Sequence, residues 1–295
     1  MSLNSISVCI FYQLQGSNRF TMMLLALLIS AISARADNTI PTSAHNMAPT
    51  NAQDPAELAK AAQNPIAKMI SLPFENDFNL RTGYKNEDSY VLQIKPVVPF
   101  KVSDDWEVIT RTILPVIQLP SLAPGVGAKS GLGDIQESLF LSPAKTHDII
   151  WGVGPVFSFP TATDHLLGTG KFSAGPTAVA LDIRGPWLFG VLAQNEFSFA
   201  GAGGRDDVNQ MLIQPFVNYN LPHAWYLTSS PIITANWHGS SDNRWLVPVG
   251  GGFGKIFHFG KLPVNAYIQA FANVERPHGT TPVALRFQLQ FLFPK

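Results

Sequence analysis

Pro282-Val-Ala-Leu-Arg-Phe-Gln-Leu-Gln-Phe-Leu-Phe293 is the stretch whose reading decides the fold. Leu285, Phe287, Leu289, Phe291 and Phe293 share one parity and Arg286, Gln288 and Gln290 the other, so an extended chain puts its large apolar side chains on one face. A soluble sandwich turns such a face into a core. An outer-membrane barrel turns it to lipid and gives the polar face to a lumen. The rest of the chain decides between the two.

Of the 295 residues 46% are hydrophobic and 14% charged, with a formal net charge of zero. That balance does not suit a disordered chain and leaves no electrostatic case for nucleic acid as a partner. The 23 Gly, 23 Pro and 20 Phe point to many strands and many turns. The one cysteine, Cys9, lies ahead of the expected cleavage point, which excludes a disulfide scaffold, a Cys-based zinc site and a cysteine nucleophile from the mature chain. Arg19, the apolar run from Met22 to Ile32, and Ala34-Arg-Ala36 read as a secretory signal over residues 1–36, with translation starting at Met1, Met22 or Met23. A short membrane anchor is the competing reading of that run. No later stretch is continuously apolar for the roughly 18 residues that a spanning helix needs, so any further crossing is made by strands.

Residues 37–70 form a periplasmic lead-in. Asp54-Pro55 is an N-cap followed by a first-turn proline, which predicts a helix over Ala56 to Gln63. Asn64-Pro65 repeats the signal, with Ile66, Met69 and Ile70 at helical spacing, and predicts a second short helix. Such helices either plug a lumen or lie outside it. From residue 71 to 295 twelve segments of strand character follow: 71–81, 88–100, 105–118, 132–142, 148–160, 172–183, 186–199, 208–220, 224–237, 244–257, 263–275 and 282–293. Connections after the even-numbered segments are compact, and those after the odd-numbered ones are mostly longer and Gly-rich. Short turns on one rim and long loops on the other, with an even strand count, describe a closed antiparallel outer-membrane β-barrel.

Aromatic residues mark both ends of the segments. Trp225 and Trp237 share a parity twelve residues apart, a separation of roughly 30 Å across a membrane at the usual rise and tilt. Tyr90 with Phe100, and Trp187 with Phe199, repeat the arrangement, while Trp106, Trp151 and Trp245 stand near segment ends. These are the expected interfacial girdles. Two features oppose a closed barrel. Pro96, Pro99, Pro115, Pro155, Pro176, Pro215, Pro231 and Pro248 fall inside segments and require bulges or broken ladders. Glu137 falls on the lipid parity, so that either its strand bulges or the parity there is misread.

Several stretches resemble an outer-membrane barrel family described as the MetA-pathway of phenol degradation family, whose members are often labelled neuromedin U. They are Asn64-Pro-Ile-Ala, Ser71-Leu-Pro-Phe74, Ile109-Thr-Arg-Thr-Ile-Leu-Pro115, Gly131-Leu-Gly-Asp134, Trp151-Gly-Val-Gly-Pro-Val-Phe157, Phe159-Pro-Thr-Ala-Thr163, Leu167-Gly-Thr-Gly-Lys171, Tyr226-Leu-Thr-Ser-Ser-Pro231 and the terminal Phe287 to Lys295. The resemblance implies an integral outer-membrane protein of Gram-negative type, involved in uptake of aromatic or other hydrophobic compounds. It assigns no catalytic or binding residue. Pro294-Lys295 depart from the general barrel pattern, in which the chain ends on the aromatic residue itself.

Parity places Glu75, Asp77, Lys95, Arg111 and Arg286 on four adjacent staves, facing the lumen as a mixed-charge belt of near-neutral sign, with Glu107 and Glu196 also facing in. Such a belt either orients a solute or is a salt-bridged filling. His238-Gly-Ser-Ser-Asp242 brings a His, a hydroxyl and a carboxylate into one loop, but those are ordinary loop residues, and no enzyme, cofactor or metal site is expected. Gly201 to Asp207 is read as a surface loop rather than a calcium site, and Gly250 to Gly254 as a bend or close backbone approach. The expected function is passive passage or binding of small solutes, aromatic or hydrophobic ones included. The alternative is a closed structural or surface-interaction barrel without transport. Expected partners are outer-membrane lipid, a small-molecule solute, and the barrel assembly machinery through the C-terminal strand.

Overall fold

The computed structural model describes residues 55–145 and 148–294. The expected signal, the lead-in up to Gln53 and the proposed N-cap Asp54 lie outside the described residues. Among the described residues fifteen strand segments make one sheet, and three pairs of them continue one another, so the sheet has twelve staves. These are β1 (Ile70–Thr82), β2 (Glu87–Ile94, then Val97–Lys101), β3 (Trp106–Leu119), β4 (Lys129–Leu132, then Ile135–Pro143), β5 (Ile149–Phe159) and β6 (Lys171–Arg184). There follow β7 (Trp187–Gly201), β8 (Asn209–Asn220), β9 (Trp225–Ser229, then Ile233–Asn236), β10 (Trp245–Phe259), β11 (Leu262–Glu275) and β12 (Val283–Phe293). Each pairs antiparallel with the next. β12 then pairs with β1 from Ile70 opposite Phe293 to Leu80 opposite Val283, which closes the barrel.

The internal prolines sit where the ladder is interrupted. Pro96 and Pro231 occupy the breaks in β2 and β9. Pro155 falls between the pairs Ser138–Val156 and Leu141–Val153, and Pro176 between Ala174–Phe197 and Thr177–Gln194. Pro115 lies where β3 passes from one piece of β4 to the other, Pro215 where β8 passes between the pieces of β9, and Pro248 at a register shift. Pro99 follows the last pair that β2 makes with β1, Ser71–Val97. A missing N–H costs little where no partner faces it.

The polarity of the sheet is the inverse of a water-soluble protein's. Phe78, Phe197, Phe253, Leu227, Val249 and Ile268 are exposed on the outer face, while Glu75, Asp77, Lys95, Asn265, Gln269 and Arg286 are buried inside. The protein is an integral outer-membrane β-barrel. Outward aromatics pair at both rims. Trp106 packs on Trp151, Trp187 on Tyr219 and Trp225 on Phe253 near the short-turn rim; Phe78 on Tyr90, Phe172 on both Phe159 and Phe199, and Trp237 on Trp245 near the other. Phe100 is exposed at the short-turn end of β2. Short turns mark the periplasmic side of such barrels.

The helix α1 (Pro55–Ala62) stands at that periplasmic rim. Leu58, Ala59 and Ala62 pack with Ala67, Met69 and the inward-facing Ile256 and Leu292. The second predicted helix does not form. Asn64 Oδ1 accepts a hydrogen bond from the Ile66 N–H (2.9 Å) and the Asn64 carbonyl one from the Ala67 N–H (3.2 Å), a local turn that competes with helix. The turn sends Ile66 inward, where it packs among Val97, Ile109, Phe140, Leu192 and Phe216. Residue Ile70 then starts β1, so segment 55–69 fills the periplasmic end of the lumen.

Candidate functional site: the lumen above the plug

Four charged residues of the barrel wall form one network. Glu75 and Asp77 stand two apart on β1 and therefore both face in, and Arg286 lies directly opposite Asp77 on β12. Lys95 sits in the break of β2, where its N–H donates to the Pro73 carbonyl (2.9 Å). Lys95 Nζ is 2.5 Å from Glu75 Oε1, and Arg286 Nε is 2.7 Å from Asp77 Oδ1 and 3.5 Å from Glu75 Oε1. Tyr267 on β11 donates its hydroxyl to Glu75 Oε2 (2.9 Å), and Gln93 Nε2 donates to Asp77 Oδ2 (3.2 Å). Every oxygen of the two carboxylates therefore has a donor. Buried charges are stable only when so satisfied.

Amides and hydroxyls extend this wall. Tyr226 on β9 donates to Asn265 Oδ1 (2.6 Å), and Asn265 Nδ2 donates to Gln290 Oε1 (3.0 Å). Gln269 Nε2 donates to Thr228 Oγ1 (2.9 Å) and Ser230 Oγ donates to Gln269 Oε1 (3.0 Å). Gly254 makes room for this arrangement, because a Cβ there would stand 2.3 Å from the Tyr226 hydroxyl. The Gly250–Gly254 run is thus in part a close approach within the wall.

The other acidic residues stand apart from the network. Glu196 on β7 accepts from Gln136 Nε2 (2.6 Å), Gln194 Nε2 (3.1 Å) and Ser158 Oγ, a separate polar group near the opposite mouth. Glu107 faces in near the periplasmic rim, opposite Ser142. Glu137 points to the lipid side from a regular register, so neither a bulge nor a parity error accounts for it. Thr112 Oγ1, on the neighbouring stave, donates to it (2.5 Å).

The Arg111 side chain lines the same lumen and feels the Glu75 charge, but among the described residues it makes no side-chain hydrogen bond or close ion pair. Three cations, Lys95, Arg111 and Arg286, stand against two carboxylates, Glu75 and Asp77, an excess of one positive charge over these five residues. Between them and the plug lies a cavity of about 130 Å³. Ala62, Gln63, Asn64 and Pro65 make its floor, and Arg111, Lys95, Tyr226, Tyr267 and Phe216 stand around it.

At the far mouth, the loop 160–170 turns inward. Asp134, in the break of β4, accepts from the Ala162 N–H (3.2 Å), the Thr169 N–H (2.6 Å) and Thr169 Oγ1 (2.9 Å). Leu167 is buried against Gly131, and Arg205 from the next loop donates to the Thr169 (2.9 Å) and Gly168 (2.5 Å) carbonyls. Lys129 pairs with Asp164 (2.9 Å) and Lys171 with Asp207 (3.0 Å). The Leu166 N–H and Lys129 hold Asp164 below the ordinary carboxylate range, and Lys171 does the same for Asp207. In the loop 237–244, Ser241 Oγ donates to its neighbour Asp242 (2.9 Å).

The chain has the fold of an outer-membrane β-barrel. It is similar to the crystal structure of the COG4313 outer membrane channel from Pseudomonas putida F1, with 14% identity over 84% of this chain and all of that one, at a TM-score of 0.60. Less similar are the NanC porin, with 10% identity over 76% of this chain and all of that one, at a TM-score of 0.49, and outer membrane phospholipase A from Escherichia coli, with 11% identity over 80% of this chain and 98% of that one, at a TM-score of 0.41. The first similarity establishes the barrel architecture and nothing about a solute. No family model and no curated protein matches the chain.

Sequence parity reaches the charged residues of the belt one stave at a time. It misses Tyr226, Asn265, Tyr267 and Gln269, which complete the network from β9 and β11. Their own alternation was available as a signal: Asn265, Tyr267 and Gln269 interleave with Val264, Ala266 and Ile268.

Proposed function

We propose that the barrel is a conduit for small solutes, aromatic or hydrophobic ones among them, which segment 55–69 closes at rest. The observation that carries this reading is the cavity above the plug, lined by polar and aromatic groups and floored by a segment outside the strand ladder. The plug is held mainly by side-chain packing and a few hydrogen bonds, such as Gln63 Nε2 to Asn220 Oδ1 (2.8 Å). It can leave without breaking any stave. The resemblance to the phenol-degradation barrel family favours aromatic solutes, and in this reading the chain performs no chemistry on them. Lipid surrounds the girdles, and the strand β12 is what the assembly machinery reads.

The alternative, a closed barrel without transport, is favoured by the inward turn of loop 160–170 and by the saturated network on β12, β1 and β2. Liposome swelling separates the two. Liposomes carrying residues 37–295, or a chain beginning at Ile70, are mixed with isosmotic benzyl alcohol, arabinose or stachyose. The conduit reading expects faster swelling with the shortened chain for the two smaller solutes and none for stachyose. Identical, protein-free rates from both folded chains would favour the closed barrel.

A further inference from the structure

We infer that the cavity above the plug is a binding site for a small organic monoanion, whose charged group sits on Arg111 and whose apolar body lies towards Phe216 and Leu192. The inference deepens the conduit reading and rests on it for treating the ligand as the transported solute. Lys95 and Arg286 have carboxylate partners at 2.5 and 2.7 Å. Arg111 has none, yet it lines the same space. Glu75 is the carboxylate whose charge reaches Arg111, and its oxygens are bonded to Lys95, Arg286 and Tyr267, so the guanidinium keeps its donors for an anion, and its planar fork suits a carboxylate in bidentate contact.

The charge count sets the valence. One excess positive charge is neutralised by a monoanion, whereas a dianion would add repulsion against Glu75, which lines the same cavity. The lining sets the body. Val97, Leu192 and Phe216 supply an apolar side, and the amides of Gln214, Asn218 and Gln290 a polar one. The space of about 130 Å³ is many times the ~10–15 Å³ that one water requires and suits a single-ring acid. Such a ligand rests on Ala62 to Pro65 and so touches the plug as well as the wall.

The test is calorimetric titration of the mature chain, residues 37–295, in detergent micelles with sodium benzoate, benzyl alcohol and inorganic phosphate. Benzoate is expected to bind saturably, with benzyl alcohol at least ~10-fold weaker, the factor expected when one charged hydrogen-bonding contact is lost, and with phosphate weaker because it has no apolar body to set against Leu192 and Phe216. Arg111→Gln is expected to bring benzoate down to the level of benzyl alcohol, Arg111→Lys to restore part of the difference, and Lys261→Gln, in the periplasmic turn, to change nothing. Equal binding of benzoate and benzyl alcohol, phosphate as strong as benzoate, no benzoate binding, or an unaffected Arg111→Gln would each overturn the site. Photolabelling of the unaltered chain with 4-azidobenzoate guards against a variant that does not fold. Label on the peptides of 62–73 and 106–119 supports the site, and label confined elsewhere contradicts it. Conductance judges the conduit separately: current without benzoate binding removes only this site, and benzoate binding without current removes only the conduit.

Discussion

The two halves of the lumen are filled in opposite ways. Towards the periplasm, Ile66 packs with Val97, Ile109, Phe140, Leu192 and Phe216, an apolar cluster of the kind found in a soluble core. Along β9, β11, β12, β1 and β2, tyrosines, amides and four charges are joined by hydrogen bonds and ion pairs. Apolar packing is short-ranged and non-directional, so it can hold a removable segment. A polar network is directional, and breaking one partner exposes the next. The plug is therefore predicted to come off the wall more readily than the wall comes apart.

The largest expected effect tests the polar half. Glu75→Gln leaves Lys95 buried without its carboxylate and should destabilise the barrel by about 3–5 kcal/mol, read from the temperature of the heat-sensitive gel mobility shift. Replacing both partners, Glu75→Leu with Lys95→Met, should recover most of that loss, because the pair's desolvation cost goes with its attraction. If the double variant is no better than the single one, the pair does more than fill space.

Next comes the apolar half. Ile66→Ala removes a fully buried side chain and should weaken plug docking by about 2–4 kcal/mol. Amide exchange over residues 55–69 should be faster, with an unchanged barrel melting temperature. A drop in barrel stability as large as that of Glu75→Gln would erase the contrast between the halves.

How far these features could be read beforehand depends on the range of the interaction. Alternation along β12 was enough to send Arg286, Gln288 and Gln290 inward, because parity is a property of one strand. Asn64-Pro65 misled, since a side chain that caps a helix equally well closes a turn, and the choice was made by where Ile66 could be buried. Prolines argued against closure until the ladder gaps were known, and a gap depends on the neighbouring stave. That Arg111 rather than Lys95 or Arg286 lacks a bonded carboxylate was invisible for the same reason: pairing is settled across strands far apart in sequence.

The smallest expected effect lies at the mouth, outside both halves. Asp164 and Asp207 have values below the ordinary 3.8, so their ion pairs contribute fully above that pH. The contribution fades as pH falls from 3.8 through the lowered values, because the folded state then takes up protons the unfolded state already holds. Amide exchange in loops 160–170 and 202–208 should rise on acidification through that window, and 1 M salt should mimic it at neutral pH. Exchange that is flat with both acid and salt would contradict a part for the Lys129–Asp164 and Lys171–Asp207 pairs in ordering these loops.

The most direct test of the account is single-channel conductance in planar bilayers, comparing residues 37–295 with a chain that begins at Ile70. Closed or rarely opening channels are expected for the longer chain and steady ohmic steps for the shorter, both with the gel mobility of a folded barrel. Equal conductance from the two, or silence from the shorter chain, would contradict the claim that segment 55–69 is what closes the lumen.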